Sequence, residues 1–246
     1  MSFGLKMKLL RAMYDLYDRE VRRFPAACRQ ECSACCTRSV LATTLEVAYA
    51  LEELTEVRLQ ELYRLIPPDS QENRLRPMFT VNELAGYCLR KEEPPPESSV
   101  HHSVPCPFRN ADGCAVYEVR PFACRSMWST RVCADDGEAE MPALLVTLNG
   151  VFFQVLEHLD AGGLYGNVLD VFELLGNSGL RIAYGSGEDL QATVSLLRTR
   201  ANPGFIVPVE HRPEIARLLG TLWTHDVEGT SFREALSQLD LDVRKG

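Results

Sequence analysis

Cys28-Arg-Gln-Glu-Cys32-Ser-Ala-Cys35-Cys36 puts four thiols within nine residues, and Cys106, Cys114, Cys124 and Cys133 supply four more about seventy positions later. Eight of the chain's nine cysteines therefore fall into two groups, the distribution expected when two chain segments converge on metal. A thiolate buried alone is costly, whereas one bound to a soft or borderline cation is deprotonated and compensated. Zinc fits tetrahedral four-cysteine sites, and eight thiols could hold two ions. An iron–sulfur cluster also needs cysteine ligands at short spacings. Side chains of adjacent residues diverge, so Cys35-Cys36 suits a multinuclear or two-sided site, and the iron–sulfur reading stands ahead of zinc. The ligand set is Cys28, Cys32, Cys35, Cys36, Cys106, Cys114 and Cys124, with Cys133 as an eighth.

Neighbouring residues admit two readings each. Arg120 and Arg125 could neutralise a thiolate site or pair at the surface with Glu118. Tyr117 reads as packed, and Met127 and Trp128 as an apolar roof over the site. Cys88, beside Tyr87 on a helix, reads as a small buried hydrophobe. His101 and His102 follow a linker and read as surface residues. His158, His211 and His225 have no serine or carboxylate context for a nucleophilic triad. Glu157 and Asp160 flank His158 as a solvated helix face. Gly185-Ser-Gly187 reads as a loop and not as part of a methyl-donor pocket.

The elements that must position the thiols follow from periodicity. Leu9, Met13, Leu16, Tyr17, Val21 and Phe24 predict an amphipathic helix over 4–23, stopping before Pro25. The first cysteine group comes after that stop, and 38–42 could be a short strand leaving it. Thr43-Thr-Leu-Glu46 has capping-box spacing and predicts one helix of about twenty residues ending at Pro67-Pro68. Thr80-Val-Asn-Glu83 repeats the signal, and three consecutive prolines at 94–96 then predict an extended linker. Asn110-Ala-Asp-Gly113 predicts a small hairpin, and Arg120-Pro121 a helical turn carrying Cys124. Asp135 to Glu140 is an exposed acidic loop. Helices are expected from Pro142 to Gly162-Gly163, after Asn167 to Gly176, and over 188–199, 213–223 and 231–239, the last opened by Ser231-Phe-Arg-Glu234.

Composition sets the class. With 246 residues, 46% hydrophobic and 24% charged, the chain is ordinary globular material with no need of disulfides. The odd cysteine count leaves an all-disulfide scheme with one thiol unpaired. Residues 1–6 carry no apolar leader, so a cytoplasmic address is expected, where thiols are ligands more often than bridges. Met141 to Leu156, the longest uncharged run, contains Pro142, Asn149, Gly150 and Gln154 and is too short for a membrane span. A net charge of −8 repels phosphate backbones, so no nucleic-acid partner is expected. Eight Lys/Arg against four Asp/Glu make residues 1–40 net +4 and leave −12 on the rest; that basic end reads as a solvated helix face that could also dock an acidic partner.

The combined pattern Cys-x3-Cys-x2-Cys-Cys, then Cys-Pro-Phe, then Gly-Cys-x-Val-Tyr-x-x-Arg-Pro-x-x-Cys-Arg resembles the YkgJ-type cysteine-cluster family, described as zinc- or iron-chelating. The residues carrying it are Cys28, Cys32, Cys35, Cys36, Cys106, Pro107, Phe108, Gly113, Cys114, Val116, Tyr117, Arg120, Pro121, Cys124 and Arg125. The first spacing has three residues where the commoner form has two. The resemblance spans roughly 28–133 and implies metal binding. Flagellin lysine-methylating enzymes carry a similar cysteine arrangement with an iron–sulfur cluster, so a metal-dependent protein-modifying enzyme is one implied alternative. Cys28-x3-Cys32-x2-Cys35 also equals the spacing of radical enzymes that cleave S-adenosylmethionine, but no β/α-barrel pattern follows it here.

The expected fold is mostly α: an irregular cysteine-rich metal module with a short β-hairpin, packed with a helical C-terminal region. The division is 1–140, the cysteine-cluster metal-binding domain with its N-terminal helix, and 141–246. The expected function is a cytosolic protein holding an iron–sulfur cluster through two cysteine groups, with a redox or protein-modification-support role and a protein partner. A structural zinc protein acting through partner binding is the other reading, and metal storage or delivery a third.

Overall fold

Three threonine and serine caps begin helices where their spacing places them, because a capping box closes within four residues and needs no tertiary help. The computed structural model describes residues 1–29, 32–67, 74–96, 104–111, 113–133 and 138–243. Helix α1, Phe3–Val21, buries Leu9, Leu10, Met13, Leu16, Tyr17 and Val21 along one stripe. Strand β1, Leu41–Thr43, lies slightly later than the 38–42 expected and runs into α2, Thr44–Glu53, through the Thr43–Glu46 box. The single helix expected to continue to Pro67 is two. Leu54 is extended at ψ 143°, and Thr55 accepts from Arg58 N to start α3, Glu56–Leu65. Threonine before glutamate is a cap signal that outweighed the continuing leucine pattern.

Helix α4, Val81–Arg90, opens on the Thr80–Glu83 box and ends at Lys91 in the left-handed region, φ 58°. Strands β2, Arg109–Asn110, and β3, Gly113–Cys114, make the expected hairpin with Arg109 opposite Cys114. The turn α5, Phe122–Arg125, follows Pro121. Beyond it come α6, Ala143–Leu159; β4, Leu164–Asn167; α7, Val168–Gly176; α8, Ser178–Gly185; and β5, Leu196–Arg198. The helix expected over 188–199 is absent, its place taken by irregular chain and β5. Helix α9, Arg212–Trp223, the β6–β7 hairpin of Asp226–Val227 and Thr230–Ser231, and α10, Phe232–Val243, complete the described chain. Ser231 and Glu234 exchange the box contacts that start α10.

About half of the residues are helical, with a few short antiparallel strands. Of the three small sheets among the described residues, β2–β3 is the one the sequence predicts. The largest is antiparallel with order β1-β4-β5, pairing Thr43 with Tyr165 and Tyr165 with Leu197. It ties the chain just after the first cysteine group to the chain after residue 141. A single hydrophobic cluster runs through α1, α2, α3, α6, α7, α9 and α10. Its aromatic centre is Tyr17, Phe122 and Phe152, with the Tyr17 and Phe122 rings 4.7 Å apart edge to face. Among the described residues no helix is long and apolar enough to cross a membrane. His101, His102, Pro68, Asp112, the end of the proline linker and the acidic loop around Asp135 lie outside the described residues.

Candidate metal centre

Backbone hydrogen bonds bring the two cysteine segments together before any side chain is considered. Thr37 and Pro105 form an antiparallel bridge, flanked by Cys106 N donating to Cys36 O at 2.9 Å and Arg38 N to Val104 O at 2.9 Å. At the other end of the first group, Ala27 N donates to Ser129 O at 2.8 Å, and Trp128 Nε1 to Pro25 O at 3.0 Å. The first loop is thus held at both ends by the segment carrying the second group. Cys28, Cys32, Cys35, Cys36, Cys106, Cys114 and Cys124 all line one cavity of about 150 Å³. Cys133 is not among its lining residues; its thiol lies 3.8 Å from Arg131 O.

The thiols influence one another. Burial pushes Cys28 up, and Cys133, Cys32 and Cys35 add to the rise. A hydrogen bond between the adjacent thiols raises Cys35 and lowers Cys36, on which Cys124, Cys114 and Cys106 also act. Burial raises Cys106, opposed by N–H groups of Phe108 and Arg109 that donate to its sulfur. It raises Cys114 too, opposed by the Val116 N–H and by Arg120. Cys124, the most enclosed, is pushed furthest up of these three, with Cys106 and Cys114 adding to burial. Backbone N–H groups aimed at sulfur favour the thiolate and tune bound clusters. None of the nine cysteines is in a disulfide. Among the described residues no three His, Cys, Asp or Glu side chains stand grouped closely enough to hold a metal ion.

The second cysteine group rests on a buried carboxylate that spacing alone identified only as a cap. Glu46, 2% exposed, accepts Thr43 N at 2.8 Å through Oε2. Its Oε1 accepts the Tyr14 hydroxyl at 3.1 Å and Phe122 N at 2.6 Å. Phe122 begins the turn that carries Cys124, so α1, α2 and that turn share one carboxylate. Arg125 belongs to the same bracket. It is buried, lies 4.2 Å over the Tyr14 ring, pairs with Asp18 at 2.9 Å and donates to the carbonyls of Arg120 and Glu118. It therefore has no side-chain pair with Glu118, and its main work is holding α1 to the turn. Arg120 lies 3.7 Å over the Tyr117 ring and faces Cys114 and Cys124. Met127 and Trp128 both line the cavity, Met127 with 47% exposure.

Two expectations are overturned. Cys88 is exposed on α4 and lies apart from the cavity; its helix buries Asn82, Ala85 and Gly86 instead. Glu157 and Asp160 are 1% and 0% exposed, not a solvated face. Asp160 accepts the Thr44 hydroxyl at 2.7 Å, Leu45 N at 3.1 Å and the Tyr184 hydroxyl at 2.5 Å. Glu157 accepts Asn82 N and Arg200 N, each at 2.7 Å. Each carboxylate sits at a helix N-terminus, α2 or α4, where orphan N–H groups and the dipole favour an anion. The available signal was α6 itself, which carries no charged residue over 143–156, so the acidic residues at its end continue a largely buried helix. Gly163 fits this site because a Cβ would meet Asp160 Oδ1 and Thr44 Oγ1 at 2.4 Å. His211 Nδ1 meets the Thr147 hydroxyl at 2.8 Å.

Compared with family models, curated proteins and solved structures, the chain has no significant match in any of the three.

Proposed function

We propose that the protein holds an iron–sulfur cluster through Cys28, Cys32, Cys35, Cys36, Cys106, Cys114 and Cys124, with Cys133 beside Cys28 available as an eighth thiol. What supports this reading above all is that seven thiols from segments about seventy residues apart line a single cavity. The donor types suit the group, although no three of them are gathered at one point among the described residues. Soft thiols dominate the wall, N–H groups point at two of the sulfurs, and Arg120 offsets part of the negative charge that deprotonated ligands would carry. The cluster would supply one-electron chemistry. The chain's own residues would bind it, screen it with Phe108, Val116 and Phe172 from behind, and limit solvent access with Met127 and Trp128.

The role that follows is redox work, or support of a protein-modification reaction, in a reducing compartment such as the cytosol. The motif resemblance to the YkgJ-type family implies metal binding, of zinc or iron, and no particular reaction. The test is the ultraviolet–visible spectrum of anaerobically purified protein, with iron, sulfide and zinc analysis on the same sample. Broad brown absorption with stoichiometric iron and sulfide supports the cluster. A colourless protein with stoichiometric zinc rejects it and leaves a structural zinc site in its place.

A further inference from the structure

The cavity's charged lining is of one sign. Among the described residues it is lined by Arg29, Arg109, Arg120 and Arg125 and by no aspartate or glutamate, in a chain of net charge −8. The four arginines divide by what they touch. Arg120 and Arg125 are turned into the protein, one over Tyr117 and bonded to its carbonyl, the other between Tyr14 and Asp18. Arg29 and Arg109 are exposed, one in the first cysteine loop and the other on β2 opposite Cys114. Beside them the rim carries Met127, 47% exposed, and half-buried Trp128; Val132, 62% exposed, follows a few residues on. Arg131 is committed to Glu138 at 3.6 Å and is not part of this set.

Arginine, tryptophan and methionine beside one another are the composition of protein-binding hot spots. Exposed arginines at the mouth of an otherwise acidic protein draw anionic partners toward that one face, while the acidic surface elsewhere repels them. We propose that the open face of the cysteine cavity is a docking surface for an acidic segment of a partner protein, its carboxylates met by Arg29 and Arg109 and its apolar side chains by Met127 and Trp128. The exposed apolar rim favours a protein segment over a small anion, which would need the arginines alone. The surface depends on the cavity's wall and not on which metal the thiols hold, so it stands or falls separately from the cluster.

The test uses the full chain, purified anaerobically with its native metal. Its probes are a fluorescein-labelled peptide of alternating glutamate and leucine and a counterpart with lysine for every glutamate. Anisotropy should show the acidic peptide binding at least tenfold more tightly than the basic one, weakening steeply as salt rises. The double variant R29E/R109E should lose at least tenfold in affinity for the acidic peptide, and M127A about threefold. Metal content and the visible spectrum are recorded on each sample. Equal binding of both peptides, or undiminished binding by R29E/R109E, overturns the proposal. Displacement of the peptide by millimolar free glutamate also overturns it, in favour of a small-anion site. Loss of metal in R29E/R109E with peptide binding intact overturns it as well, assigning these arginines to charge balance within the cavity. A zinc-loaded protein that still discriminates the peptides would reject the cluster and keep the docking surface.

Discussion

The thiol cavity and the carboxylate brackets around α6 both bury polar groups, and they treat them oppositely. Asp160 takes one N–H and two hydroxyls, all supplied by the chain. Glu46 is similarly saturated by Thr43, Tyr14 and Phe122. At the other site, seven cysteines line one cavity, with burial raising most of those whose shift is resolved. Groups satisfied from within hold the fold together, whereas the thiols around the cavity carry fewer such bonds and are the ones the proposed centre would use. The two sites are also connected: the Glu46 bracket fixes the turn on which Cys124 sits.

Breaking the cavity should have the largest effect. Cys36→Ser or Cys124→Ser is expected to remove most bound metal and the visible absorbance, read by metal analysis and spectroscopy; full retention in both would exclude the cavity as the metal site. If metal also holds the two segments together, anaerobic chelation should lower the thermal midpoint of the native protein and leave that of C124S nearly unchanged.

A bracket substitution should act on stability first. Asp160→Asn puts an amide N–H against donors that all point at an oxygen, and we expect a loss of about 2–4 kcal/mol in urea unfolding. The fraction that stays folded should keep its metal; parallel loss of metal per folded molecule would merge the two sites into one.

Glu157 sharpens the contrast through pH. Burial pushes its carboxyl up to about 7 from an ordinary 4.5. The folded chain therefore binds more protons than the unfolded chain between those values. The contribution of Glu157 is full below about pH 4.5 and is lost as pH rises through about 7, by up to about 3 kcal/mol. The stability difference between the wild type and E157Q should shrink over that window; a pH-independent difference would show that Asn82 N and Arg200 N hold the carboxylate ionised. Smallest of all, Cys88→Ser should leave metal content unchanged and stability within about 0.5 kcal/mol, since the residue is exposed and away from the cavity.

Local signals carried much of the fold. The boxes at Thr43, Thr80 and Ser231, the Asn167 cap and the Gly113 hairpin were readable because each is closed by residues a few positions apart. Strands β4 and β5 were not, since Leu-Tyr-Gly-Asn and Leu-Leu-Arg are too short to show alternation and exist only by pairing across thirty or more residues. The same limit hid Glu157 and Asp160, whose donors come from α2, α4, α8 and the chain near Arg200.

From residue types and spacing alone came the two cysteine groups, the helices flanking them and the soft-metal chemistry of thiols, because these depend on composition and on contacts within a few residues. Tertiary structure decided which cysteines face a shared space. It set Cys88 apart, turned Arg125 inward and Arg29 outward, and gave Glu46 a second role at the Cys124 turn. Those outcomes rest on backbone bridges such as Thr37 to Pro105 and on burial, and both arise only when distant segments meet.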